Sequence, residues 1–309
     1  HIKSCLAAFN MCKFLNLKVF LTDVNPVSGS MDPKNFFDCV RKNNIKRVNL
    51  IINMHIGGNP NHVLEFYKIK KKYNSYLIED ACHALGASYL NKNSFLKVGN
   101  CTHADLSTFS FHAIKSITTG EGGAISTNNK SFNDHIKKAR SHGIVKNKKK
   151  HWKYDVLFSS FNFRLSDINC ALGVSQLKKL NTFVKRREKI SKKYYSELSK
   201  FPEINLPLKN RKNKSAWHLF QISINFKKLK LKKDDFINFM KNKNIFTQYH
   251  YTPIYKFSLY KKKITLKGAE EHLKNNISLP IFFKMKNYEV NYVISNIKKF
   301  ILKNKSSKN

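Results

Sequence analysis

Two apolar runs of strand length, within Arg47–Met54 (RVNLIINM) and Ser75–Leu85 (SYLIEDACHAL), constrain the fold most, because a helix-forming stretch lies between them. The first is almost continuously apolar, the pattern of a strand covered on both faces rather than one wetted on alternate positions. Parallel neighbours need a crossover of a dozen or more residues, and Pro60–Tyr73 supplies a helix of that length. The alternation starts further upstream, with a helix from Ile2 to Leu15, a strand at Val19–Asp23 and a helix Met31–Asn43 opened by Asp32 and Pro33. Such an order predicts an α/β fold built on a doubly wound, mainly parallel sheet.

In an open α/β sheet, ligands bind outside the carboxyl ends of the strands. The second run ends in Glu79 and Asp80 and continues to His83; a third, Leu106–Phe111, leads to Ser110 and then Lys115. Asp80 and Lys115 therefore reach one crevice from neighbouring strands. A lysine there is either a solvated loop residue or an amine in a partly dry pocket, where lost solvation lowers its pKa and makes it a nucleophile towards aldehydes. The carboxylate decides between them. A cofactor with a pyridine ring needs an acid to keep its ring nitrogen protonated and an amine to carry its aldehyde. Ser110 suits a phosphate, and the turn at Gly120, Gly122 and Gly123, before a short strand at Ala124–Thr127, can bring amides close to an anion.

The motifs DACHALGA (Asp80–Ala87), FSFHAIK (Phe109–Lys115), TTGEGGA (Thr118–Ala124), RSHGI (Arg140–Ile144) and NFRLSDINCALG (Asn162–Gly173) occur in that order. In this the chain resembles the DegT/DnrJ-type sugar aminotransferases, from about Leu6 to its end. HAIKSITT at His112–Thr119, RSHGIVK at Arg140–Lys146 and QYHYTPIYKFSLYKK at Gln248–Lys262 point to the branch that serves pseudaminic acid biosynthesis. The resemblance implies an aspartate-aminotransferase-like large domain that binds pyridoxal 5′-phosphate, with a small α+β C-terminal domain. It also implies transfer of an amino group, from glutamate, to the 4-keto carbon of a UDP-linked N-acetylated 6-deoxy sugar. Lys115 would then be the catalytic amine, Asp80 would hold the ring nitrogen, His83 would sit beside the ring, and Ser110 would hold the phosphate. Asn162 would reach the phosphate of the other subunit of a homodimer with shared sites; from its sequence alone it could equally shape the turn before a helix. The same resemblance makes the chain a fragment: it starts at His1, and the family's phosphate-gripping Ser/Gly-Thr loop has no counterpart in it.

The formal net charge of +39 would ordinarily point to nucleic acid or an anionic membrane. Nearly all of it is lysine, spread along the chain among Asn, Ile and Phe, whereas base readers concentrate arginine on one element. A biased composition explains the charge better, and no nucleic-acid or membrane partner is expected. No apolar run reaches the roughly 18 residues needed to span a bilayer. The six cysteines form no C-x-x-C pair and no metal-ligand spacing, which fits a reduced cytoplasm and no metal.

The remaining chain divides the molecule. Ser131–Ser141 is a helix capped by Ser131, the Lys146–Lys150 loop faces solvent, Ser166 and Asp167 start a helix ending near Leu180, and Asn181–Lys200 is a long polar helix. Pro202, Pro207 and a basic run mark a boundary, giving domains 1–200 and 201–309. The second holds a strand Ala216–Phe226, a helix Lys233–Lys243, a strand Ile245–His250, a helix Asn287–Leu302 and a disordered tail, Lys303–Asn309. Trp217, His218, His250 and Tyr251, with His55 beside Gly57 and Gly58, are candidates for the sugar-nucleotide pocket, although aromatics at strand spacing also make cores. Two rivals remain. A dehydratase of the same fold and cofactor carries His in place of the lysine, which Lys115 argues against, and a basic nucleic-acid binder has only the charge in its favour.

Overall fold

The structure is a computed structural model that describes residues 6–260 and 264–306. Helices α1 (Leu6–Phe14) and α2 (Pro33–Lys42) precede strand β1 (Leu50–Met54), helix α3 (Val63–Tyr73) and strand β2 (Tyr76–Asp80). A hairpin follows, β3 (Ser88–Asn91) with β4 (Ser94–Lys97), and then β5 (Leu106–Ser110) and β6 (Gly123–Ser126). The main sheet runs β1-β2-β5-β6, with the first three strands parallel and β6 antiparallel to β5. Met54 lies opposite Asp80 and Asp80 opposite Thr108, so the carboxyl ends of three parallel strands share one edge. The expected parallel α/β arrangement is present, and α3 is its crossover.

Helix α4 (Lys130–Ala139) leads to a two-stranded ribbon, β7 (Ile144–Lys146) and β8 (Tyr154–Val156), and then to α5 (Asp167–Lys178) and α6 (Leu180–Leu198). Strands β9 (Ile204–Asn205), β10 (Asn213–Lys214) and β11 (Phe220–Ile224) follow, then helices α7 (Phe226–Leu229), α8 (Lys233–Lys241) and α9 (Lys267–Asn275), strand β12 (Asn276–Leu279) and helix α10 (Asn287–Ser306). β11 is the centre of a second, antiparallel sheet, β12-β11-β9, while β10 joins the β3–β4 hairpin. The largest core packs this second sheet against α6, α8 and α10, through residues such as Tyr194, Phe220, Phe236 and Ile297. Two separate clusters pack around the first sheet, one with Phe66 and Leu77 and one with Ala81, Ala84 and Tyr89.

Several expectations need correction. Val19–Asp23 is no strand: it joins no ladder, and a cavity of about 390 Å³ is lined both by Val19, Phe20 and Thr22 and by Leu50, Ile51 and Ile52 at β1. Ile245–His250 also lacks a ladder; Gln248 alone bridges to Ser278. The strand expected at Ala216–Phe226 is confined to β11, because Asn225 caps α7 by accepting from the Lys228 amide. Asn129, not Ser131, caps α4, accepting from the Phe132 amide at 3.1 Å. β1 begins only at Leu50, and α3 starts at Val63 after His62 in a left-handed conformation rather than at Pro60. The tail placed in disorder from Lys303 continues α10 through Ser306, while residues 307–309 and the start of the first expected helix, 2–5, lie outside the described residues. Ser166 does cap α5, accepting from the Asn169 amide. Among the described residues no helix is long and apolar enough to cross a membrane.

Candidate active site

The two acids ending β2 separate by strand alternation, which sends neighbouring side chains to opposite faces. Glu79 turns into the protein, where its carboxylate accepts from the Ser107 hydroxyl at 2.6 Å and lies 3.1 Å from His55 Nε2. Burial alone would raise the pKa of Glu79; the hydrogen bonds from His55 and Ser107 outweigh it and hold the acid below its ordinary range. Asp80, 4% exposed, stands at the strand end and accepts from the Cys82 amide at 3.3 Å. His55 is thereby enclosed at 1% exposure, its ring engaged with Glu79 behind the strand edge. That enclosure gives it a structural partner in place of the sugar contact expected of it.

The loop after β1 is the seam of the molecule. Gly58 sits at φ +94°, and a Cβ there would stand 2.6 Å from the His83 carbonyl oxygen, so only glycine fits. The Gly57 amide donates to His83 Nδ1 at 3.3 Å, while the Gly57 and Gly58 carbonyls accept from the Leu219 and Ala216 amides of the second unit. This stitching brings His218 against His83, with ring centroids 4.3 Å apart, and Tyr251 Oη to 3.1 Å from His83 Nε2. Burial, helped by the nearby charge of Lys115 on both rings, holds His83 and His218 well below the usual imidazole range. Both are neutral at pH 7. His218 Nδ1 is buried without a hydrogen-bond partner among the described residues.

Lys115 lies in the bend beyond β5, half-buried, its amide donating to the His112 carbonyl at 2.9 Å. The turn behind it is tied down on several sides. Phe111 and Thr119 close it through backbone bonds, Thr118 Oγ1 accepts from the Gly120 amide at 2.9 Å, and Asn169 of α5 donates to the Thr119 carbonyl. Ser110, half-buried at the end of β5, accepts from the His112 amide at 3.4 Å. Asn162 is exposed in the turn before α5, bridged to Ser141 and accepting from the Arg164 amide. His250 lies 2.8 Å from the Ser278 hydroxyl through Nδ1. Trp217 packs on Tyr195 and Phe220, which gives it a core role.

Three features escaped the sequence reading. The Gly57–His83 bond depends on a left-handed glycine turn, which no spacing announces. The Glu79 network had a signal: an acid inside an apolar strand must find a partner. Arg187, 6% exposed, donates through Nη1 to the carbonyls of Trp217, His218 and Ile281, the last at 2.7 Å, and burial lowers its pKa to about 10. Its spacing from Ile190 and Tyr194 places it on the buried face of α6, a pattern visible in the sequence.

The donor set suits a pyridine-ring aldehyde with an anionic arm. A buried carboxylate ends β2, an amine lies beyond β5 within electrostatic reach of two neutral imidazoles, and a hydroxyl stands at the end of β5.

The model of the DegT/DnrJ/EryC1/StrS aminotransferase family matches residues 3–298. A protein of Campylobacter jejuni named UDP-4-amino-4,6-dideoxy-N-acetyl-beta-L-altrosamine transaminase is 38% identical over 291 residues, covering 93% of this chain and 74% of its own. A Helicobacter pylori protein of the same name is 37% identical over 238 residues, 76% of this chain and 61% of its own. The solved structure of Helicobacter pylori PseC, described as an aminotransferase involved in the biosynthesis of pseudoaminic acid, superposes with a TM-score of 0.86 at 31% identity, covering 96% of this chain and 77% of that one.

Proposed function

Since the chain belongs to the DegT/DnrJ/EryC1/StrS aminotransferase family, we propose that it moves an amino group from an amino acid, glutamate by likeness, to the 4-keto carbon of a UDP-linked N-acetylated 6-deoxy sugar. The reading is supported by Asp80 at the end of β2, Lys115 in the bend beyond the neighbouring strand β5, and the His83 and His218 rings packed 4.3 Å apart beyond β2. Pyridoxal phosphate is the cofactor of the family, and it supplies an aldehyde to take up the amine and a ring that draws electrons from the reacting carbon. Asp80 keeps a proton on the ring nitrogen. Lys115 Nζ would hold the cofactor's aldehyde and, when released, would serve as the general base and acid that moves the proton of the donor's amino-bearing carbon. For the sugar half-reaction the same amine moves the proton in the opposite sense. Ser110 and Asn162 of the partner subunit bind the phosphate, and His218 and His250 face the sugar.

We take residues 1–200 as the cofactor-binding unit and 201–309 as the closing one, with α6 packed into the core of the second. The chain works as a homodimer, a reading supported by the exposed apolar residues of α5. It works in the cytoplasm, a reading supported by cysteines that show no C-x-x-C pair and no metal-ligand spacing in the sequence. Its place is the pseudaminic acid pathway, by likeness to the Campylobacter and Helicobacter proteins.

Borohydride reduction of the protein mixed with pyridoxal phosphate, followed by peptide mapping, is expected to leave the reduced pyridoxyl label on Lys115. Lys115→Ala should lose turnover by at least a thousandfold while keeping its fold by circular dichroism; near wild-type turnover in that variant would overturn the assignment.

A further inference from the structure

We propose that Tyr251 is a positioning residue, the acceptor at the end of a directed hydrogen-bond chain from the Gly57 amide through His83 that fixes the tautomer and plane of the imidazole. The inference follows from donor and acceptor chemistry. A backbone N–H can only donate, so the 3.3 Å contact from Gly57 requires a lone pair on His83 Nδ1. A neutral ring with its lone pair at Nδ1 carries its proton on Nε2, which faces Tyr251 Oη at 3.1 Å. The tyrosine oxygen therefore accepts, and its own proton turns towards an acceptor other than His83.

The chain of bonds links the loops that follow β1 and β2, which hold Gly57 and His83, to Tyr251, 168 residues beyond His83. With the His218 ring 4.3 Å away on another side, the His83 plane is held from three directions. A second ring proton would set Nδ1–H against the Gly57 N–H and add a cation beside Lys115. The arrangement keeps a neutral aromatic face at the site without drawing charge from Asp80 or Lys115. It differs from the sugar contact first expected of Tyr251: the hydroxyl acts through His83.

The functional part rests on the reading of the site as a pyridoxal phosphate site, and two measurements keep the parts separate. In protein labelled with ¹⁵N-histidine and free of cofactor, His83, assigned by its loss in His83→Gln, is expected as the Nε2–H tautomer at pH 7 with a slowly exchanging ring proton. Tyr251→Phe should keep the amide spectrum of the folded protein and lose that ring proton to exchange. An Nδ1–H tautomer, an imidazolium, or a ring proton unchanged in Tyr251→Phe would overturn the proposal. Pyridoxal phosphate retention, followed by visible absorbance during dialysis, should then weaken roughly threefold to tenfold in Tyr251→Phe, the range of one hydrogen bond. Equal retention overturns the positioning role. Failure of the wild-type protein to take up the cofactor overturns the functional reading instead, and the tautomer result still stands or falls on its own.

Discussion

β11 and α5 make the most instructive contrast in the molecule. All five residues of β11 are buried, and the sheet around it is covered by α6, α8 and α10. None of the twelve residues of α5 is buried, although it carries Ile168, Leu172, Val174 and Leu177. The C-terminal unit thus closes its apolar surface within one chain, whereas the N-terminal unit leaves a helix face in the open. Monomers rarely expose contiguous apolar area of that kind without a partner. The site lies between the two. Asp80 ends β2 and Lys115 lies beyond β5 on the open sheet, the reacting groups in the function proposed above, while His218 and Tyr251 come from the C-terminal part and lie against His83.

The contrast breaks most severely in the closed core. Phe236 is fully buried and meets Phe300 edge-on at 5.1 Å, so Phe236→Ala removes a ring from a region with no room to collapse. A loss of about 3–5 kcal/mol in urea unfolding is expected, and a loss below about 1 kcal/mol would show that the core is not closed.

Beneath the sheet the expected effect is smaller and depends on pH. Glu79→Gln keeps the shape of the buried network but removes the charge that accepts from both His55 and Ser107, at a cost of about 2 kcal/mol near neutral pH. The acid of Glu79 is held below its unfolded value by those two bonds, against its burial. Its contribution is therefore present above the unfolded glutamate pKa of about 4.3 and is lost as pH falls through the lower folded value. Wild-type stability should fall through that acid window more steeply than that of Glu79→Gln. Parallel acid limbs for the two proteins in urea titrations at stepped pH would remove Glu79 from the account.

The same contrast explains what could be read before the structure. Parallel strands with covered faces leave continuous apolar runs, so β1, β2 and the crossover α3 were legible, as were the strand end that carries Asp80 and the bend beyond β5 that carries Lys115. Ser166 was legible as a cap because its bond to the Asn169 amide is local. Contacts set by distant pairing were not. Val19–Asp23 has strand composition, but a strand exists only where a neighbour completes the ladder. Strand β12 and helix α9 lay in a stretch whose mixture of Lys, Glu and Asn hides their boundary. The histidines show the limit most clearly. His55 and His83 both stand just past a strand end, yet one closes a buried network and the other faces the site, and only the glycine turn between β1 and α3 separates those fates.

The smallest expected effect on the fold belongs to the open face. Ile168 is 84% exposed, and its replacement by lysine disturbs no packing within the chain. Ile168→Lys should therefore shift the unfolding free energy of the dissociated chain by no more than about 0.5 kcal/mol. In a dimer joined through α5 the same change sets two lysines into an apolar contact, where the missing counter-charges are costly. Sedimentation should accordingly report a dimer for the wild-type protein and a monomer for Ile168→Lys at the same concentration. Cofactor retention would fall with dissociation, because Asn162 of the partner subunit would leave the phosphate. A variant that stays dimeric with full retention would place the subunit contact elsewhere and leave the face of α5 without its partner.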